Sequence, residues 1–294
     1  MNFKLYIFIT LLCFQKSTAC AQSFKWQASL EKVSANGFYN IALTPDFVSR
    51  TVNRDLADIR IFEKNKEIAY LLRKENDSTG TPIPAPAFKV KEVKASQQSI
   101  VEINFNKAYQ VNKLVLTATG FKFYRRAAWL AELNPDFKNK RNRNEYIRLV
   151  DFIILSAKRT SIDLCGENRH EKLYLFIENE DNFPLEIKKI DAYQQNMHLT
   201  VYLEKGKGYT IKTGQLNMNL PRYDLSYFND SISNSVPFIK VGDFSADTAA
   251  ARLDKAATTG KTWMWVALTI LIASIGYLSY KMIGDMQRKK QGKD

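Results

Sequence analysis

The sequence predicts an all-β protein with two β-sandwich domains and one C-terminal transmembrane helix. Short runs of alternating apolar and polar residues recur from Phe24 to Lys212, and turn-forming residues separate them. No long amphipathic helical pattern occurs before Ser245. A chain of 294 residues, of which 45% are hydrophobic, is long enough for two domains of ordinary size. These observations favour sheets packed on sheets.

The N-terminal sandwich is predicted over residues 22–106. Asn36-Gly37 lies between two strand-like runs, and this pair suits a two-residue hairpin turn because both central residues need positive φ. Lys64-Asn65 separates two further runs in the same way. The proline-spaced segment from Thr81 to Pro86 predicts an extended loop, because proline cannot donate to a β ladder.

The second domain is predicted over residues 107–244 as a sandwich of the jelly-roll type, because strand-like runs follow one another closely. Strands are expected at 113–118, 122–133, 146–155, 173–178, 185–193, 198–203 and 209–212. The last long run alternates strictly, so Leu199, Val201 and Leu203 should face the core. The residues between them, His198, Thr200 and Tyr202, should face outward.

The N-terminus has the pattern of a signal peptide over residues 1–21. A basic start and an apolar run precede Ala19-Cys20-Ala21, which suits ordinary signal peptidase. The alternative is that Ser17-Thr18-Ala19-Cys20 acts as a degenerate lipobox, in which case Cys20 is lipidated. Ordinary cleavage leaves Cys165 as the single cysteine, which excludes a disulfide framework within the chain. Cys165 is then expected to be a small buried residue.

The C-terminal apolar run, residues 263–281, predicts a transmembrane helix. No charged residue lies between Lys261 and Lys281, and the run is long enough for a hydrocarbon core of about 30 Å. Aromatic residues lie near both edges, as in an interfacial belt, and basic residues follow. The predicted membrane residues are Trp263, Trp265, Tyr277, Tyr280 and Lys281.

Export and the positive-inside rule predict the same orientation. The two domains would lie in the periplasm and the basic tail, residues 282–294, in the cytoplasm, as in a single-pass protein of the bacterial inner membrane. Residues 245–262 are Ala-rich and would form either a helical stalk or a disordered tether.

The charge balance indicates acidic partners. The formal net charge is +13 at pH 7. Because the main domains are expected outside the cytoplasm, this charge favours acidic lipid headgroups, anionic glycans or an acidic protein, and it argues against nucleic acid.

The sequence carries no motif of a known reaction. It has two histidines, and it lacks an HExxH pair, a GxSxG elbow and a glycine-rich phosphate loop. We therefore expect no enzyme activity and predict a binding or assembly module that recognises a glycan or an envelope protein. One alternative is an envelope enzyme that acts on glycans through a carboxylate pair not located by the pattern. Another is an accessory subunit of a second membrane protein.

A basic, amide-rich loop is the strongest candidate for ligand binding. Residues 138–144 follow Trp129 and Phe137, and Arg and Asn side chains beside an aromatic surface suit sugar hydroxyls or acidic groups. The predicted binding residues are Trp129, Lys140, Arg141, Asn142 and Arg143. The alternative is a solvated loop that binds nothing.

An acidic cluster follows a strongly apolar run and is the only candidate for a metal ion. Its oxygen-bearing residues are Glu178, Glu180, Asp181 and Asn182. Carboxylates with a backbone carbonyl can hold a structural calcium ion. The alternative is a turn in which Asp181 or Asn182 bonds to backbone N–H groups ahead of Pro184. No other cofactor is expected.

Three stretches resemble an uncharacterised bacterial family, the domain of unknown function 3999 family. They are Tyr124-Arg125-Arg126, the stretch from Leu173 to Ile187, and Tyr209 with the stretch from Pro221 to Leu225. The resemblance implies a signal-bearing, single-span protein with exported β-sandwich domains, and it implies no reaction or ligand. The strand pattern of the second domain is also similar to galactose-binding-like, or discoidin-like, jelly rolls. One departure from the family pattern is Thr213-Gly214-Gln215, where Tyr-Gly-Asn is usual.

Overall fold

The computed structural model describes residues 24–75, 79–120, 122–139, 145–233, 235–247, 265–266, 268–277 and 279–281. Residues 26–245 form one compact unit. Its strands are β1 (Trp26–Ser29), β2 (Gly37–Ala42), β3 (Arg60–Glu63), β4 (Lys66–Ile68), β5 (Tyr70–Lys74), β6 (Thr81–Pro82), β7 (Ala87–Val93), β8 (Gln98–Gln110), β9 (Lys113–Thr119), β10 (Arg125–Leu133), β11 (Tyr146–Ser156), β12 (Ser161–Asp163), β13 (Arg169–Glu178), β14 (Glu186–Gln194), β15 (Met197–Leu203), β16 (Thr210–Thr213), β17 (Phe238–Ile239) and β18 (Ser245–Ala246). Helix α1 (Pro45–Val48) and the 3-10 turns Lys94–Ser96, Pro135–Asn139 and Asp224–Ser231 are short.

Two sheets, here called the first sheet pair, enclose one apolar core. Their strand orders are β18-β1-β16-β3-β4 and β17-β2-β15-β5. Strand β17 pairs with β2 in parallel, whereas the pairings of β1 with β16, β16 with β3, β3 with β4, and β15 with β2 and β5 are antiparallel. The shared core includes Ile41, Ile61, Leu199, Val201 and Ile211. Helix α1 covers one end of this core with Phe47 and Val48, and the Thr44 hydroxyl caps its N-terminus.

Two further sheets, here called the inserted sheet pair, enclose a second core. Their strand orders are β11-β10-β13-β8-β7 and β12-β9-β14-β6. The core includes Ile103, Leu114, Leu130, Leu173 and Leu175, which alternate with outward-facing residues along their strands. All four sheets are therefore mainly antiparallel and enclose buried apolar faces, consistent with β-sandwich domains.

The membership of the strands in the two sheet pairs does not follow the domain boundary predicted at residue 106. All strands of the inserted sheet pair, β6 to β14, lie between β5 and β15 in the chain. Strand β15 pairs with both β2 and β5, and β16 pairs with both β1 and β3. The first sheet pair is thus completed by residues from after residue 196. Local alternation locates strands, but it carries no information on pairing between distant segments.

The predicted hairpin at Asn36-Gly37 is wrong. The strands on either side belong to different sheets, since β1 pairs with β16 and β2 with β15. Neither Asn36 nor Gly37 has positive φ, and the Asn36 side chain instead accepts a hydrogen bond from the Lys205 N–H at 2.7 Å. The second predicted turn is confirmed: Glu63 pairs with Lys66 across Lys64-Asn65, and Lys64 has a φ of 56°.

Strand β15 confirms four of its six predicted side-chain orientations. Leu199, Val201 and Leu203 are buried in the core, and Tyr202 is exposed. The expectation that His198 and Thr200 face solvent is wrong, because both are buried. The Thr200 hydroxyl donates to the Asn40 side-chain oxygen at 2.7 Å. The outer face of β15 is therefore covered as well. Burial of the polar Thr200 side chain is tolerated because it is hydrogen-bonded.

The described C-terminal residues, 265–266, 268–277 and 279–281, are helical and exposed. Among the residues that the structure describes, no helix is both long and apolar enough to cross a membrane. The transmembrane helix therefore stays a prediction. Trp263, Cys20 and most of the 245–262 segment lie outside the described residues.

Candidate functional site

Four aromatic side chains and one arginine form a contiguous patch on the outer face of the sheet β11-β10-β13-β8-β7. We call it the aromatic row; its members are Trp129, Tyr146, Arg148, Tyr174 and Phe176. The Trp129 and Phe176 rings stack with centroids 3.7 Å apart and planes inclined by 3°. Tyr146 contacts both Phe176 and Tyr174 edge-on, each at 5.0 Å. The Arg148 guanidinium carbon lies 4.5 Å from the Trp129 ring centroid.

The alternation of the strands brings these side chains together. Trp129 lies between the core residues Ala128 and Leu130, so it must face outward. Its register partner on β13 is Phe176, which lies between the buried residues Leu175 and Ile177. Cross-strand neighbours of this kind have Cβ atoms about 5 Å apart, which places the two rings in stacking distance.

The border of the aromatic row is charged. Lys172 donates to Glu102 at 2.7 Å on the neighbouring strands, and both side chains are partly exposed. This hydrogen bond lowers the pKa of the Glu102 carboxyl and raises that of the Lys172 ammonium. Burial and the nearby Glu145 carboxylate raise the pKa of Tyr146, so its hydroxyl is protonated and remains a donor at neutral pH. The patch thus offers apolar surface, hydrogen-bond donors and a cation.

The sequence placed Trp129 in the binding site but did not identify its neighbours. Phe176 occupies one face of the indole and Arg148 lies over the ring, so Trp129 acts as part of a packed aromatic surface and not as a free platform. A usable signal exists at β13, where Leu173 to Ile177 is apolar on both faces of the strand. Such a run indicates that the outer face is covered too.

The basic loop begins and ends beside the aromatic row. The Asn134 N–H donates to the Glu145 carbonyl at 2.8 Å, and Leu133 is the register partner of Tyr146. The ends of the loop are therefore held close together next to a member of the row. Lys140, Arg141, Asn142 and Arg143 lie outside the described residues, so their part in binding stays a prediction.

The acidic cluster forms a turn. The Asn182 N–H and its side-chain amide both donate to the Asn179 carbonyl, at 3.0 and 3.2 Å. Glu178 accepts from Gln98 at 2.6 Å and Asp181 from Gln97 at 3.3 Å, so these two carboxylates bond to neighbouring amides. Across the described part of the chain, no three His, Cys, Asp or Glu side chains are placed to hold a metal ion together. The cluster forms a hydrogen-bonded turn, but the Asn182 side chain bonds to a backbone carbonyl and Asp181 to a side-chain amide, and not to the expected backbone N–H groups. The calcium ion stays a prediction.

Cys165 is exposed, which contradicts the expectation of a small buried residue. It lies in a cleft of 610 Å³ between the two sheet pairs, together with Lys113, Asp163 and Tyr193. The adjacent Lys74 forms an ion pair with Glu167 across this cleft. No sequence pattern predicts the cleft, because its walls come from segments far apart in the chain.

Comparison with known proteins adds no relationship: no family model, no curated protein and no solved structure matches this chain. The resemblance to the domain of unknown function 3999 family stays a prediction.

Proposed function

We propose that this chain is a non-catalytic binding or assembly module of the bacterial cell envelope, anchored in the inner membrane by one helix, with its domains in the periplasm. The inserted sheet pair is proposed to be of the galactose-binding-like, jelly-roll type. Its target is an anionic glycan or an acidic envelope protein. The signal pattern, the apolar run near the C-terminus and the basic composition support the location.

The aromatic row is the observation that carries the proposed binding function. Aromatic side chains are enriched where proteins recognise partners, because they present large, rigid apolar areas with a polar edge. Here Trp129 and Tyr146 lie on a sheet face that points away from the core, with Arg148 and Lys172 at its border. A guanidinium and an ammonium beside aromatic rings suit acidic groups on sugars or proteins.

Binding to soluble anionic polysaccharide and to peptidoglycan fragments tests the proposal. The purified full chain should bind one of these without converting it to product. Arg148→Gln should weaken that binding about tenfold, because it removes the exposed cation that lies over Trp129. Calorimetric titration gives the affinity, and chromatography of the incubated glycan detects any product.

Tyr202→Ala is the matched control, because Tyr202 is an exposed aromatic residue on a strand of the first sheet pair, 46% accessible. It should leave the affinity unchanged. Formation of a glycan product by the full chain would contradict the non-catalytic proposal, and equal affinities for the Arg148 variant and the unaltered chain would exclude the aromatic row.

A further inference from the structure

Four connections meet at one end of the inserted sheet pair. We call this end the tip; it consists of residues 94–97, 122–126, 156–160 and 179–185. Thr119 is the register partner of Glu186, Arg125 of Ser156 and Glu178 of Gln98, which places the four connections side by side. Two hydrogen bonds join two of them, from the Asn179 N–H to the Gln97 carbonyl and from the Gln97 amide to Asp181.

Two phenylalanines of the tip project into solvent. Phe123 is 85% accessible and Phe183 is 81% accessible, among the most exposed large apolar side chains of the described chain. The Lys122 ammonium lies 5.5 Å from the Phe123 ring centroid. Single exposed apolar residues are ordinary on protein surfaces, but two at the ends of neighbouring connections form an apolar point of contact.

Arg126 adds a buried charge directly behind these residues. Its side chain is 8% accessible, and its guanidinium reaches the Arg125 carbonyl at 3.1 Å and the Phe183 carbonyl at 3.5 Å. Its Nε has no hydrogen-bond partner. Among the described residues, no carboxylate forms an ion pair with Arg126. Because burying an uncompensated cation is unfavourable, a nearby anion would stabilise this arrangement.

The other charged residues of the tip are mostly basic. Its basic residues are Lys94, Lys122, Arg125, Arg126, Lys158 and Arg159, and its acidic residues are Glu180 and Asp181. Asp181 already accepts a hydrogen bond from Gln97. Arg125, Lys158 and Arg159 are exposed on adjoining connections. The tip is therefore net positive around its two exposed rings.

We propose that the tip docks on an anionic phospholipid surface. Phe123 and Phe183 enter the boundary between headgroups and acyl chains, and the surrounding Lys and Arg side chains bind lipid phosphates. Phenylalanine has no hydrogen-bonding group with which to recognise a sugar, whereas apolar side chains ringed by cations match the layered chemistry of an anionic bilayer. This surface is separate from the aromatic row, and its proposed role does not depend on the proposed function of that row.

Vesicle flotation of the full chain tests the proposal. The protein is held in a non-ionic amphipol, which covers its C-terminal apolar run, and is mixed with vesicles of phosphatidylcholine alone or of phosphatidylcholine with phosphatidylglycerol. We expect at least about tenfold tighter binding to the vesicles that contain phosphatidylglycerol, and weaker binding as salt is raised.

Surface variants identify the contact. Phe123→Ser combined with Phe183→Ser should remove the binding, and Lys158→Gln combined with Arg159→Gln should weaken it about fivefold per charge. The control Phe152→Ser changes a phenylalanine that is 69% accessible but lies outside the tip, and it should bind as the unaltered chain does. Equal binding to both kinds of vesicle, or full binding by the double phenylalanine variant, would overturn the proposal. Binding of inorganic phosphate without binding of vesicles would also overturn it.

Discussion

Asp58 illustrates at the scale of one residue how this chain satisfies a buried charge. The side chain is fully buried, and its carboxylate accepts hydrogen bonds from the N–H groups of Val52, Asn53 and Gly214 and from the Thr213 hydroxyl, at 2.7 to 3.1 Å. These donors come from two separate stretches of the chain, residues 52–53 and 213–214. Asp58 therefore joins segments that are far apart in the sequence.

Asp58→Asn should destabilise the protein strongly. An amide cannot accept hydrogen bonds from all of these donors, because its NH2 group would point at an N–H, and we expect a loss of about 3 kcal/mol in the free energy of unfolding. Asp55→Asn is the control, since within the described part of the chain the Asp55 carboxylate accepts one hydrogen bond, from the Ala57 N–H; it should cost less than about 1 kcal/mol. Denaturant melts measure both, and equal losses would contradict the role given to Asp58.

The two histidines should make the protein less stable in acid. Burial lowers the pKa of both His170 and His198, although Glu132 and Glu75 act in the opposite direction. A histidine with a lowered pKa takes up more protons when unfolded, so its contribution to stability is present at neutral pH and is lost as the pH falls below about 6.5.

Melting temperatures between pH 7 and pH 5 check this sign. The unaltered chain should melt at a lower temperature as the pH falls, and the change should be smaller in a His170→Gln, His198→Gln variant, compared with that variant's own melt at pH 7. A melting temperature that rises on acidification would show that Glu132 and Glu75 stabilise the charged histidines more than burial destabilises them. It would contradict the lowered pKa values.

Sequence patterns predict the orientation of a single residue best when that orientation depends only on its neighbours in the chain. The core-facing residues Leu199, Val201 and Leu203 follow from alternation alone and are confirmed. The outward orientation predicted for Thr200 is wrong, because its burial depends on Asn40, a partner 160 positions away. Likewise the sequence identifies Trp129 as a candidate from its residue type. Phe176 and Arg148 become candidates only because strand pairing places them beside Trp129.

At the scale of elements, turn chemistry predicted one hairpin and failed for another. Both Asn36-Gly37 and Lys64-Asn65 lie between strand-like runs, yet only the second joins paired strands. The more favourable turn composition occurs at the wrong position, because the sheet partner of β2 is β15. Tertiary pairing therefore overrides turn preference here.

Gly80 marks the entry to the inserted sheet pair, and its conformation is required there. It has a φ of +62°, and an added Cβ would lie 2.9 Å from the Gln194 carbonyl oxygen, at the strand that leads back to β15. Gly80→Ala combines an unfavourable backbone conformation with a clash against backbone, and we expect a loss of about 3 kcal/mol.

Gly206→Ala is the matched control for this prediction, because Gly206 also has positive φ, at +79°, but has open space around its Cβ position. It should cost about 1 kcal/mol. Chemical denaturation of both variants separates the clash from the conformational term, and equal losses would mean that the close approach to Gln194 has no energetic consequence.

At the scale of the whole molecule, the insertion predicts which fragments fold. Residues 81–194 contain every strand of the inserted sheet pair and its core. Residues 22–106 lack β15 and β16, which lie between other strands in the two sheets of the first pair. Fragment 81–194 should therefore melt cooperatively, and fragment 22–106 should remain unfolded.

Circular dichroism and thermal melts of the two fragments measure this difference. A cooperatively folded fragment 22–106 would contradict the pairing of β15 and β16 described here.

The all-β class followed from the sequence because alternation is local. The nesting of one sheet pair within the other did not, because strand pairing across more than 120 residues leaves no local pattern.

We propose above all that the outer face of the inserted sheet pair, at the aromatic row, is a recognition surface. Site-specific photocrosslinking in intact cells tests it most directly, with a photoreactive amino acid placed at Arg148 and, as a control, at Tyr202. We predict adducts with an envelope glycan or protein from position 148 and none from position 202. Adducts from position 202 alone would contradict the claim.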